Sequence, residues 1–209
     1  MRKRMLHLWI RAEQRKNEKR VGITPQDASK LICKGIKVTV EESADRIIST
    51  EEYHKVGCKI ANQHSWPRAP KDAIILGLKE LSEDIERLEH KHIMFGHAFK
   101  GQTAGLKLLK KFKVGKGLLY DLEYLTDPEG RRLAAFGYWA GYSGAAVSLK
   151  AYADQQNTKG ICGPVSVFES KETMADDIRN AFVNVENKFP KILVVGALGR
   201  VGKGAIDFC

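Results

Sequence analysis

Apolar runs typical of buried strands alternate along the chain with segments of helical periodicity. We predict strands at residues 6–10, 36–40, 58–61, 73–78, 93–95, 118–125 and 132–136, the last two flanking a turn signal at 127–130. Helices are predicted at 51–56, 103–112, 135–152 and 171–185, and another begins with Thr24 as N-cap and Pro25 at its first position. This alternation predicts an α/β fold with a mainly parallel sheet.

The final stretch, residues 191–204, reads K-I-L-V-V-G-A-L-G-R-V-G-K-G. The apolar residues 192–195 predict a strand buried on both faces, and Gly196, Gly199 and Gly202 follow before a helical run begins. A strand, a glycine turn and a helix start form the first part of a dinucleotide-binding unit, whose pyrophosphate lies at the helix N-terminus. A tight turn without a ligand is the alternative, because the spacing G-x-x-G-x-x-G differs from the usual G-x-G-x-x-G.

The domain that this turn begins is predicted to be incomplete. A βαβ unit needs about 30 residues, and its ribose-binding acid lies about 20 residues beyond the glycines. Only seven residues follow Gly202. We therefore expect an N-terminal α/β domain, residues 1–135, and linking helices with the first βα of a second, nucleotide-binding domain, residues 136–209. The exposed edge of an incomplete sheet predicts self-association.

Basic residues are in excess, with 35 Lys and Arg against 25 Asp and Glu and a net charge of +10. This balance suits acidic ligands such as dicarboxylates and dinucleotide phosphates, and nucleic acid is the less favoured partner. The four cysteines show no C-x-x-C spacing, so they are interpreted as free thiols in a reducing cytoplasm, and no metal site is predicted. No apolar run approaches the roughly 18 residues of a membrane span.

Lys79 and His97 stand where predicted buried strands end. In open α/β sheets the ligand crevice lies outside the carboxyl ends of the strands, so these residues are candidates for proton transfer. A surface lysine and a structural histidine are the alternative. The other histidines, His7, His54, His64, His90 and His92, are predicted to lie on the surface.

Arginines are the candidates for binding a carboxylate or a phosphate, because a guanidinium offers two parallel hydrogen bonds. The candidates are Arg20, Arg131 and Arg132. Glu18 and Glu123 are candidates for tuning the site, or are ordinary loop and strand acids.

Five stretches together resemble one family: E-K-R-V-G-I-T-P, I-I-L-G-L-K-E-L, H-I-M-F-G-H-A-F-K-G-Q, L-L-Y-D-L-E-Y-L-T-D-P-E-G-R-R-L-A-A-F-G and V-V-G-A-L-G-R-V-G-K-G-A-I-D. They closely resemble the NAD-dependent, L-lysine-forming saccharopine dehydrogenases, and more distantly alanine dehydrogenase and the nucleotide-binding part of transhydrogenase. The resemblance covers residues 6–208. It implies the oxidative cleavage of saccharopine to lysine and 2-oxoglutarate, with NAD as cofactor, between two Rossmann-like domains.

The resemblance also assigns roles to residues. It implies that Lys79 and His97 are the acid–base pair. It further implies that Arg20, Gln102, Arg132 and Phe136 bind substrate, that Glu18 and Glu123 tune the pair, and that Arg131, Gly196, Gly199, Arg200, Val201 and Gly202 contact the cofactor. Because family members continue well beyond the glycine turn, we expect the 209-residue chain alone to turn over saccharopine poorly or not at all.

Two other functions remain open from the sequence. One is another amino-acid oxidoreductase of the alanine dehydrogenase group, against which the R-R-L-A-A-F-G stretch argues. The other is a catalytically inactive remnant, or a basic protein that binds nucleic acid or a partner.

Overall fold

The computed structural model describes residues 5–99, 101–158, 160–185 and 189–209. The chain divides into two compact units, Met1–Ala134 and Ala135–Cys209. Each unit has hydrophobic core residues of its own.

The first unit is built on a six-stranded parallel sheet. Its strands are β1 (His7–Ile10), β2 (Lys37–Glu41), β3 (Lys59–Ala61), β4 (Ile74–Leu76), β5 (Lys91–Met94) and β6 (Leu118–Asp121). They lie in the order β3-β2-β1-β4-β5-β6, and every neighbouring pair is parallel. This is the strand order of the doubly wound Rossmann sheet, so the prediction of a Rossmann-like N-terminal domain with a mainly parallel sheet is confirmed.

Helices cover both faces of the sheet because its side chains alternate between two cores. Helices α1 (Pro25–Cys33) and α2 (Thr50–Lys55) pack on one face, and α3 (Thr103–Gly115) packs on the other. Within β4, Leu76 enters the core that contains Tyr53 of α2, and Ile75 enters the core that contains Phe112 of α3. This alternation is the two-residue period of a strand buried on both faces.

Helix α1 begins as predicted. The Thr24 side chain accepts a hydrogen bond from the backbone N–H of Asp27, and Pro25 occupies the first helical position. The chain leaves the helix through Gly35, whose φ of +79° is accessible to glycine at little cost.

The segment after β6 differs from the prediction of two strands. Strand β6 ends at Asp121 because a 3-10 turn, Leu122–Tyr124, follows it, and residues 132–136 form no strand. The predicted turn does form, with the Gly130 N–H donating to the Asp127 carbonyl over 3.0 Å. Only an isolated antiparallel bridge joins Thr126 to Arg132, so this loop is a short hairpin and not part of the sheet.

Three of the five histidines predicted to lie on the surface are buried, namely His7, His90 and His92. His7 and His92 lie within β1 and β5. The prediction was wrong for them because strands covered on both faces bury polar side chains as well as apolar ones.

The second unit contains helices α4 (Gly137–Thr158), α5 (Lys171–Phe182) and α6 (Arg200–Phe208). The prediction that the glycine-rich helix packs very closely on a neighbour is confirmed. A Cβ on Gly141 of α4 would overlap the carbonyl oxygen of Val201, and one on Gly204 of α6 would overlap that of Tyr138. The two helix backbones therefore touch directly.

The prediction of a buried strand at residues 192–195 is wrong. Residues 191–194 have no regular structure, and Leu193 and Val195 are 87% and 89% exposed. A strand needs a neighbour for its N–H and C=O groups, and the described part of the second unit contains no strand. Among the described residues, no helix is both long and apolar enough to cross a bilayer.

Candidate active site

Polar residues collect at the carboxyl edge of the sheet in the first unit. Lys79 follows β4, His97 follows β5 and Glu123 follows β6. Because these strands are consecutive neighbours and all parallel, the three residues leave the sheet at the same edge. The register pairs Leu76 with Ile93, which places Lys79 and His97 in adjacent loops. This edge is where doubly wound sheets bind their ligands.

An arginine–glutamate pair lies close to Lys79. Arg20 donates to the carboxylate of Glu18 through Nε at 2.8 Å and Nη2 at 2.6 Å. These hydrogen bonds are the main reason that the pKa of Glu18 lies below its usual value, and the positive charge of Lys79 lowers it further. Glu18 is therefore a buried, ionised acid beside the lysine, while Arg20 remains accessible.

His97 belongs to a network with Glu123 and Arg132. The His97 Nδ1 lies 3.7 Å from Glu123 Oε2, and Arg132 Nη1 lies 2.9 Å from Glu123 Oε1. The Glu123 side chain is 10% exposed, whereas those of His97 and Arg132 are 46% and 41% exposed. One sheltered carboxylate thus orients two accessible cationic or titratable groups.

The backbone around His97 is constrained. His97 has a φ of +47°, a left-handed conformation that is uncommon for a residue with a side chain. Asp121 at the end of β6 accepts hydrogen bonds from the N–H groups of Gly96, at 3.1 Å, and Glu123, at 3.0 Å. Asp121 therefore joins the histidine loop to the glutamate turn. The sequence did not single out Asp121 for this role, although the residue stands within the Y-D-L-E stretch.

Gln102 lines the same cavity as His97, whereas Arg131 lies in the hairpin after β6. A cavity of about 510 Å³ is lined by both His97 and Gln102, together with Phe95 and Glu80. Arg131 is exposed, and its backbone N–H donates to Asp127 Oδ1 over 2.7 Å within the hairpin. Phe136 belongs to the second unit, where it is exposed.

The glycine turn of the second unit has the geometry expected of a phosphate-binding turn. Gly196 has a φ of +78°, and Gly199 is the N-cap of α6 and donates its N–H to the Gly196 carbonyl over 2.9 Å. A Cβ on Gly202 would overlap that same carbonyl oxygen. Arg200 and Val201 begin α6 directly after this turn, and a helix N-terminus is a favourable place for a phosphate. A glycine turn followed directly by a helix N-terminus fits a diphosphate.

Within the described ranges, no group of three or more His, Cys, Asp and Glu side chains could hold a metal ion. The polar groups described at this edge are a lysine, a histidine, carboxylates and arginines.

Comparison with known proteins agrees with this architecture. The family described as Alanine dehydrogenase/PNT, N-terminal domain, matches residues 9–143. Among solved structures, the fold is similar to a transhydrogenase from Sinorhizobium meliloti, with a TM-score of 0.51 and 18% identity over 84% of this chain and 56% of that one. It is also similar to an L-alanine dehydrogenase, with a TM-score of 0.53 and 13% identity over 84% of this chain and 52% of that one.

Sequence similarity to the saccharopine dehydrogenases is confirmed. The chain is 42% identical over 207 residues to saccharopine dehydrogenase (NAD+, L-lysine-forming) of Schizosaccharomyces pombe and 44% identical to that of Candida glabrata, in each case over 96% of this chain and 56% of the relative. The chain thus spans about half the length of these curated relatives. Because the family model matches residues 9–143, which is more than half of the chain, the chain belongs to the alanine dehydrogenase/PNT N-terminal domain family.

Proposed function

We propose that this chain is part of an NAD-dependent saccharopine dehydrogenase that forms L-lysine and 2-oxoglutarate. In this proposal the first unit supplies the substrate-side domain and its proton-transfer groups, and the second unit supplies the start of the NAD-binding domain. The identity of 42–44% with proteins named for this reaction supports the proposal. A role in lysine biosynthesis and a cytoplasmic location, which suits four free thiols, belong to the same proposal.

The observation that carries the proposal is the placement of Lys79 and His97 after the carboxyl ends of two neighbouring parallel strands. Cleavage of a secondary amine needs a proton taken from the amine, a proton taken from attacking water and a proton given to the departing amine. Histidine and lysine side chains are both able to accept and donate protons in catalysis. Glu123 orients His97, and Glu18 places a negative charge near Lys79.

Arginines account for recognition of the substrate carboxylates. Arg20 pairs with Glu18 and Arg132 pairs with Glu123, and the two arginine side chains are 48% and 41% exposed. A guanidinium held in this way can bind a second carboxylate in a fixed orientation. The two arginines therefore suit a substrate that carries several carboxylates.

The glycine turn fits NAD. A bound NAD would supply the hydride acceptor for oxidation of the carbon next to the secondary amine. Gly196, Gly199 and Gly202 would admit the diphosphate, and the first turn of α6, Arg200 and Val201, would donate N–H groups to it.

Calorimetric titration of the purified chain with saccharopine tests the proposal. We expect binding, and we expect Arg132→Ala to weaken it by about 10-fold or more, since charge-assisted hydrogen bonds contribute about 1.5–3 kcal/mol. Arg87→Ala is the matched control, because Arg87 is an exposed arginine that also pairs with a glutamate, Glu89 at 3.0 Å.

Absence of saccharopine binding to a chain that is folded by circular dichroism would contradict the proposal, as would equal losses in the two arginine variants. Binding of L-alanine or pyruvate in place of saccharopine would instead assign the chain to the alanine dehydrogenase group. A parallel titration with NADH measures whether the glycine turn binds the cofactor in this chain.

A further inference from the structure

The residues directly after β1 contact the loop that carries Lys79. The Arg11 side chain is only 1% exposed, and its guanidinium donates to the carbonyl oxygens of Ala12, at 3.2 Å, and Lys79. Its Nη1 also lies 3.3 Å from Glu13 Oε2. The buried guanidinium of Arg11 thus donates a hydrogen bond to the main chain of Lys79, the candidate catalytic lysine.

Glu13 binds the same loop through its carboxylate, which accepts hydrogen bonds from main-chain N–H groups. Its Oε1 accepts the N–H of Leu78 at 2.6 Å, and its Oε2 accepts the N–H of Lys79 at 3.0 Å. Together, Arg11 and Glu13 satisfy both the N–H and the C=O of Lys79. The carboxylate is sheltered, with 10% of its side chain exposed, so these charge-assisted bonds are stronger than exposed ones.

The backbone at Gly77 lies in close contact with the Arg11 side chain. A Cβ at position 77 would overlap Nε and Cζ of Arg11, so the guanidinium lies directly against the backbone at the end of β4. The Arg11 N–H also donates to the Leu76 carbonyl over 3.0 Å, which continues the strand pairing up to the same point. Two adjacent strands are therefore locked together immediately before Lys79.

We propose that Arg11 and Glu13 are positioning residues that clamp the main chain of Lys79 and thereby aim its amine at the substrate. This inference rests on the proposed role of Lys79 in the reaction. A lysine side chain has a long flexible stem, so a fixed main chain confines the region that its amine samples. Holding a reacting group in place in this way is a recognised source of rate.

Amide hydrogen exchange tests the clamp without any assumption about activity. In Glu13→Gln, exchange at Leu78 and Lys79 should rise by about 10-fold or more, since one carboxylate no longer accepts both N–H groups. The proton resonances of these two amides should move upfield when the bonds to the carboxylate are lost. Gln14→Ala is the matched control: Gln14 Oε1 accepts the N–H of Ser82 at 2.8 Å in the same loop, so only Ser82 should lose protection.

A double-mutant cycle on saccharopine affinity tests whether the clamp acts through the lysine. Glu13→Gln should weaken binding by about 10-fold when Lys79 is present and by less than about 2-fold in the Lys79→Met background. Equal factors in the two backgrounds would show a purely structural role and would overturn the proposal.

The results of these experiments distinguish a failure of the clamp from a failure of the proposed function. If the unchanged chain binds no saccharopine, the proposed function fails, and amide exchange still decides the clamp. Unchanged protection of Lys79 in Glu13→Gln would overturn the clamp whatever the activity. If Glu13→Gln does not fold, Arg11→Lys serves the same test, since it retains the charge and loses the planar fork that reaches both the Lys79 carbonyl and Glu13.

Discussion

At the scale of single residues, burial changes the chemistry of His92. Its ring is 1% exposed and packs edge-on against Trp66 and Phe112, with ring centroids 5.0 and 5.4 Å apart. Among the described residues its Nε2 has no hydrogen-bond partner. Burial, followed by the charges of His90 and Arg11, lowers the pKa of His92 to about 3.

This pKa predicts a loss of stability in mild acid. The unfolded chain binds a proton at His92 near pH 6.5 and the folded chain only near pH 3, so its contribution is complete above about pH 6.5 and is lost as the pH falls towards 3. Between pH 7 and pH 5 this loss is about 2 kcal/mol. The variant His92→Gln has no titratable side chain at this position. Between pH 7 and pH 5 its free energy of unfolding should therefore fall by about 2 kcal/mol less than that of the unchanged chain.

Urea unfolding at a series of pH values measures this difference. His54→Gln, at an exposed position, is the control and should follow the unchanged chain. Parallel pH dependences for the unchanged chain and His92→Gln would contradict the prediction.

At the scale of elements, glycines decide how α4 and α6 pack. Gly137, Gly141 and Gly204 each lie against the partner helix, with no room for a Cβ. Gly144, on the same helix as Gly141, has open space where a Cβ would stand, with no neighbouring atom within 4 Å. Within α4, glycine is therefore required at positions 137 and 141. At position 144 it only lowers the stability of the helix.

Alanine substitutions should separate these two kinds of glycine. Gly141→Ala places a methyl group on the Val201 carbonyl and should destabilise the second unit by about 2 kcal/mol or more. Gly144→Ala should stabilise the same helix by up to about 1 kcal/mol, because alanine has the higher helix propensity. Thermal unfolding followed by circular dichroism measures both, and equal effects of the two substitutions would contradict the packing argument.

At the scale of the whole molecule, exposed apolar side chains are concentrated near the glycine turn. They include Phe189, Leu193, Val195 and Leu198, each more than 80% exposed. An open groove of about 580 Å³ is lined by residues 190–195 and by α4 and α6. Apolar surface of this kind favours association.

The chain is therefore expected to self-associate in a concentration-dependent manner. Leu193→Lys combined with Val195→Lys should shift it towards monomer, since charges oppose burial of this segment. Val167→Lys is the matched control, because Val167 is an exposed apolar residue of the same unit outside the segment. Sedimentation velocity over a range of concentrations decides the matter, and a monodisperse monomer of the unchanged chain would contradict the prediction.

The sequence by itself determined the α/β fold, the places of β1 to β6 and α1 to α6, and the placement of Lys79 and His97 at strand ends. These features follow from local signals: apolar periodicity, the Thr24 cap and the glycines around position 199. Close packing of α4 on a neighbour was also predictable from its glycines, although the sequence did not show that Gly141 makes this contact and Gly144 does not.

Only the tertiary structure decided which polar residues work together. Glu13 meets Leu78 and Lys79 across 65 and 66 positions of sequence, and Asp121 meets Gly96 across 25. No local pattern encodes such contacts, because they arise from the order in which parallel strands become neighbours. The same reason explains the buried histidines and the irregular residues 192–194: burial and strand pairing belong to the neighbours that a segment acquires, not to its own composition.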